Sequence, residues 1–170
     1  MQVVLYPNAV LSTPVTQVTQ FDSALADLAK EMIQVMYEKK GIGLAATQIG
    51  ISCALCVIDI TESMTMSFAY VNPKIVHQEQ EVSSHEGCLS VPGAYTDRPR
   101  YNKIRVEYQD LEGISHGEEM TGLMAIAMQH EVDHLNGKLF LDCFGPVKRR
   151  LLIDRYKKHV KMLSRQKDET

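Results

Sequence analysis

The sequence predicts an α+β domain in which mixed or antiparallel strands surround a central helix, with further helices near the N- and C-termini. Three observations carry this: apolar residues at helical spacing over 23–38, a second helical run over 122–135, and short or alternating apolar runs grouped between them. The 170 residues, 45% apolar and 23% charged, suit one domain over 1–170 with a single core.

Along the first helix Leu25, Leu28, Met32, Val35 and Met36 recur on one face. Asp22 or Ser23 can cap its start, and Lys39, Lys40 and Gly41 suit its end. A glycine-rich segment, Gly41 to Gly50, follows. Cys53 to Ile60 reads as a strand, and Phe68 to Val71 leads into Asn72-Pro73, a turn or an extended break. Ile104 to Tyr108 alternates, Asp110 to Gly113 reads as a turn, and Ile114 begins a returning strand. The second helix takes Thr121 as its cap and Gly137 just past its end. From Pro146 to about 165 a basic helix places Leu152, Tyr156, Val160 and Leu163 on one stripe.

No apolar run approaches the ~20 residues of a membrane span, and no secretory signal is visible, so a cytoplasmic protein without a membrane partner is expected. Nine basic and eighteen acidic residues precede Lys148, a net −9 that repels nucleic acid and argues against a DNA partner. From Lys148 onward nine basic and three acidic residues leave +6, which suits a solvated helix or a contact with an anionic surface. No predicted helix keeps a broad spare apolar face, so a monomer is expected. In a reducing compartment Cys53, Cys56, Cys88 and Cys143 are apolar fillers, nucleophiles or metal ligands.

The sharpest motif is His130-Glu131-Val132-Asp133-His134. Residues four apart on a helix lie ~6 Å apart along its axis on one face, so both imidazoles can reach one ion with Glu131 beside them. Leu123, Ile126 and Ala127 extend that face toward the helix start. A catalytic metal site needs a third protein ligand and an open position. In the extended pattern His-Glu-x-x-His-x-x-Gly-x-x-His, Gly137 fits, but Phe140 stands where the last ligand would be. Asp154 belongs to the basic surface helix, so the third ligand is expected upstream. Cys53 and Cys56 fall on opposite faces of an apolar strand and read as packing, as does Cys143. Cys88 lies in the turn-rich stretch His85 to Gly93, where Gly87 lets the backbone approach a metal; it reads as buried filler or as ligand.

Three segments together resemble peptide deformylase: Gly41 to Gly50 with its Gly-Ile-Gly-Leu-Ala-Ala-Thr-Gln, then Glu86-Gly87-Cys88-Leu89-Ser90, then Gln129 to Gly137. They occur in that family's order, and the similarity runs from the first helix to the last. The resemblance implies Cys88, His130 and His134 as ligands of one divalent metal ion, Fe2+ physiologically, with Ni2+, Co2+ or Zn2+ able to occupy the site in purified protein. It implies removal of the N-formyl group from the formyl-methionine of new polypeptides by metal-activated hydroxide attack, releasing formate. Glu131 then moves the proton, while the Gln48 side-chain amide and the Leu89 backbone N–H stabilise the oxyanion. The substrate-facing set implied is Ile42, Leu123, Ile126 and Ala127 as an apolar methionine slot, Gly43 as partner of the peptide backbone, and Glu86, paired with Arg100, beside the pocket. Two positions depart: Thr47 stands where many members have proline, and Tyr95 where some have an arginine that contacts the peptide backbone. A metalloendopeptidase using the same helix is the alternative. For the basic tail, the substrate's origin adds a weak, salt-sensitive ribosome contact as an expectation.

Overall fold

In the computed structural model, which describes residues 1–61 and 63–168, Asp22 accepts a hydrogen bond from the Leu25 N–H and opens helix α1 (Ser23–Glu38). Leu25, Ala29, Met32, Val35 and Met36 form its buried face. Lys40 (φ 57°), not Gly41, takes the left-handed conformation that closes this helix, and the Gly41 N–H bonds back to the Met36 carbonyl at 2.9 Å.

The described residues form a five-stranded antiparallel sheet in sequence order: β1 (Gly43–Ala45), β2 (Leu55–Ile58), β3 (Phe68–Glu86), β4 (Thr96–Gln109) and β5 (Ser115–Thr121). Asn72-Pro73 does not end β3. Asn72 (φ 52°) sits at a register shift, and its side chain bonds the Val18 N–H and carbonyl, each at 2.8 Å. The strand then continues far beyond the predicted Val71, paired to a β4 that begins well before the predicted Ile104. These extensions are a largely polar ribbon with little apolar alternation to mark it.

Helix α2 (Gly122–Leu135) contacts all five strands. Thr121 occupies its cap position without a side-chain capping bond. At the other end Gly137 (φ 69°) allows its own N–H to bond the His134 carbonyl and the Lys138 N–H to bond the Asp133 carbonyl. A Cβ at Gly137 would also lie 2.8 Å from the Pro14 nitrogen.

Three apolar clusters hold these elements together. One packs α1 against β1 and β2, and another packs α2 against the sheet. The third joins Leu11, Val91, Phe140 and Leu141 to Leu152 and Tyr156 of α3 (Pro146–Asp168). Cys53 and Cys56 both pack as expected, Cys53 beside the first cluster and Cys56 in the second. However, β2 starts at Leu55, so Cys53 lies before the strand, in an isolated bridge to Thr16, and not on its opposite face. Cys143, expected to pack, is exposed: it ends a 3-10 turn, Phe140–Cys143, and its thiol donates to the Phe140 carbonyl at 3.1 Å. Leu163 also leaves the predicted stripe and is exposed. Among the described residues no helix is long and apolar enough to cross a membrane.

Candidate active site

Strand β3 ends at Glu86, opposite Thr96, so the loop over 87–95 starts at the sheet and carries Cys88. Helix α2 presents His130 and His134 to that loop. One ligand atom from each of Cys88, His130 and His134 lies within 4.8 Å of the others, and the sulfur is 3.2 Å from His134 Nε2. The two imidazole centroids are 4.9 Å apart, as one helical turn dictates.

A chain of charged groups orients this cluster. His130 Nδ1 meets Glu86 Oε2 at 3.0 Å, which leaves Nε2 as the ring nitrogen free for the cluster. Arg100 donates to both oxygens of Glu86, at 2.7 and 2.9 Å, and to Asp133 at 2.7 Å. Arg98 reaches the same Asp133 oxygen at 3.3 Å. Burial works against a charged Glu86, but its bonds to His130 and Arg100 win and hold its pKa at about 2. Burial also disfavours charge on His130, yet hydrogen bonds to Cys88 and Glu86 push its pKa up, a proton between imidazole and thiol that binding of a metal ion would release. For His134, burial and the nearby His130 charge push the pKa well below the usual value, toward the neutral imidazole that binds metals. A thiol and two convergent imidazoles fit a divalent ion, and Cys88 and His130 both face an open cleft.

Glu131 is buried beside them, with Oε2 among the buried atoms that have no hydrogen-bond partner. Burial raises its pKa to about 7. Room for its carboxyl comes from Gly43 on β1: a Cβ there would overlap Oε1 and lie 3.0 Å from Cδ. Gln48, on the 3-10 turn Ala46–Ile49, accepts the Ala45 N–H at Oε1 (2.9 Å), and Nε2 thereby faces the Cys88 sulfur at 3.5 Å. Thr47 next to it is fully buried. Leu89 follows Cys88 and packs against the first cluster.

The cleft measures about 850 Å³. Ile42 and Leu123 are 42% and 50% exposed, and Ile126 and Ala127 line the same wall. Ala127 is in addition a core residue. Gly87 has a role its sequence context did not reveal: the Tyr95 ring lies where a Cβ would be, 2.6 Å from Tyr95 Cδ1. Val3, Leu5 and Leu163 also line the cleft. Coming from the two ends of the chain, they carry no local signal of a site; only folding brings them to it.

The sequence profile described as Polypeptide deformylase matches residues 1–150. Peptide deformylase of Hahella chejuensis is 40% identical over 163 residues, 95% of this chain and 97% of that protein. The crystal structure of a peptide deformylase from Legionella pneumophila superposes with a TM-score of 0.92 at 39% identity, covering 96% of this chain and 97% of that one. Peptide deformylase from Ehrlichia chaffeensis, in complex with actinonin, gives a TM-score of 0.88 at 33% identity over 94% and 96% of the two chains. Agreement of this extent in both sequence and fold shows that the chain belongs to the polypeptide deformylase family.

Proposed function

We propose that this chain is a hydrolase that removes the formyl group from N-formyl-methionyl polypeptides and releases formate. The observation that carries the reading is the convergence of Cys88, His130 and His134 beside the buried Glu131 carboxyl, at an apolar cleft.

Cys88, His130 and His134 would hold a divalent ion. Fe2+ suits this site in a reducing cytoplasm, since a thiolate ligand is vulnerable to oxidation, and Ni2+, Co2+ or Zn2+ can replace it. Bound there, the ion supplies Lewis acidity and a water acidic enough to lose a proton near neutral pH. Glu131 takes that proton at its unpartnered Oε2 and returns it to the departing amine nitrogen. As charge builds on the formyl oxygen, Gln48 Nε2 and the Leu89 N–H donate to it. The Ala45 N–H fixes Gln48 with Nε2 toward the site. Ile42, Leu123, Ile126 and Ala127 receive the methionine side chain, and Gly43, on edge strand β1, pairs with the peptide backbone. Glu86, with both oxygens engaged, acts by holding His130 rather than by touching peptide.

Formyl-Met-Ala-Ser tests the reading. Mass spectrometry should show loss of the formyl group with the peptide intact, with formate released in equal amount. Internal cleavage with the formyl group retained would identify an endopeptidase and overturn it. Metal analysis after anaerobic purification identifies the ion.

Residues 1–170 act as one catalytic domain, monomeric and without a DNA or membrane partner, and the basic face of α3 makes a weak ribosome contact near the emerging substrate. Lys157, Lys158 and Lys161 are exposed on that helix. Replacing all three with glutamate should abolish salt-sensitive co-sedimentation with ribosomes; unaltered binding would remove the role.

A further inference from the structure

We propose that Tyr156 on α3 is a positioning residue for the reaction, acting through the N-terminal segment Val4–Tyr6 to set Gln48 relative to the loop that carries Cys88 and Leu89. The inference rests on the deformylase reading, in which Gln48 Nε2 and the Leu89 N–H share one developing charge.

Those two donors come from separate pieces of chain. Gln48 sits on a 3-10 turn after β1, whereas Leu89 sits on the loop between β3 and β4. One short segment binds both. The Val4 N–H donates to the Gln48 carbonyl at 2.7 Å, and the Tyr6 N–H donates to the Ser90 carbonyl at 2.9 Å. The Tyr6 carbonyl in turn accepts the Tyr156 hydroxyl, and the two rings meet edge to face with centroids 6.1 Å apart. Tyr156 is buried in the third apolar cluster, and Val4, Tyr6 and Cys88 pack against that cluster. Helix α3 thus anchors a clip that spans both halves of the charge-binding site.

The direct link between those halves is the Gln48 Nε2 contact with the Cys88 sulfur at 3.5 Å, and sulfur is a weak acceptor. Leu89 also packs against the cluster that holds Ala46 and Ile49 of the Gln48 turn, but apolar packing fixes no direction, so directional register between the halves rests on the two backbone bonds of the clip. Oxyanion donors work only when they meet the oxygen at hydrogen-bond distance, so a small relative shift lowers turnover while leaving the methionine slot unchanged. Leu5 of the clip lines the cleft, but the methionine slot of Ile42, Leu123, Ile126 and Ala127 lies outside it, so turnover is expected to change more than binding.

Tyr156→Phe removes the hydroxyl and keeps the ring. Its expected effect on formyl-Met-Ala-Ser is a fall in kcat of about threefold to tenfold, with KM changed less than about twofold. The same substitution made in a Gln48→Ala background should have a much smaller effect on kcat, because one of the donors it places is already gone. Amide hydrogen exchange at Val4 and Tyr6 should quicken about tenfold in Tyr156→Phe, while α2 amides keep their rates. An unchanged kcat, an equal fractional loss in both backgrounds, or unchanged exchange at Val4 and Tyr6 would each overturn the inference. Absence of formate release by the wild-type chain would instead defeat the functional reading, so the two failures are distinguishable.

Discussion

Gly43 and Glu131 share one space, and at this scale a single methyl group decides whether the carboxyl can stay there. Gly43→Ala is expected to fold, because its strand is short and at the sheet edge, but to displace Glu131 and lower kcat by about 10²-fold. Formate-release kinetics check this, with circular dichroism confirming the fold. Glu131→Gln keeps the side chain's shape and removes its basicity; bound metal should persist while kcat falls by about 10²–10⁴-fold. Elemental analysis beside the same kinetic assay measures both, and wild-type turnover would rule out the proton-transfer role. Glu131 was legible in the sequence because its spacing from His130 and His134 is a local helical property. The reason for Gly43 was not, because the group that needs its empty side lies on α2, far along the chain. Gly87 repeats the lesson, since its constraint comes from the Tyr95 ring.

Among the elements, β3 and β4, which carry the loop over 87–95 between them, are held to α2 through largely buried charges, and such a network is sensitive to loss of one member. Arg100→Met would leave Glu86 and Asp133 without their shared partner, at an expected cost of about 3–5 kcal/mol in urea unfolding. Asp59, just past β2, organises its own turn. It accepts from the Tyr37 hydroxyl at 2.6 Å, from the Thr61 N–H at 2.8 Å and from the Met66 N–H at 3.0 Å. Burial pushes its pKa up, but a bond from the Thr61 hydroxyl, with the bonds just named, holds it down at about 2. A folded pKa below the unfolded value of about 3.9 means that the stabilisation is complete above that pH and vanishes as pH falls toward 2. The stability gap between wild type and Asp59→Asn, measured by urea unfolding, should therefore narrow from pH 5 to pH 2. Helix boundaries were legible because caps and apolar spacing are local: α1 and α2 occupy the expected residues. The β3–β4 ribbon was not, because its partners are mostly polar and its order comes from cross-strand pairing.

Across the whole molecule, α3 has two faces with different work. Leu152 and Tyr156 complete the third cluster, while Lys157, Lys158 and Lys161 face solvent. Each large apolar side chain so buried is worth about 1.5–3 kcal/mol. Ending the chain at Gly145 should therefore lower Tm in a thermal melt, whether or not the ribosome contact exists; an unchanged Tm would show that α3 contributes little to stability. That makes charge reversal on the outer face the cleaner probe of partner binding.

By itself the sequence determined the helices, the paired imidazoles with their glutamate and, through three ordered motifs, the family. Each of those is carried by neighbours within a few turns of chain or by motif order. Only the tertiary structure decided that Glu86 and Arg100 hold His130, that Gly43 makes way for Glu131, and that the N-terminal segment binds both the Gln48 turn and the loop at Ser90. These are contacts between side chains and backbones remote in sequence, and their geometry exists only once the core has packed.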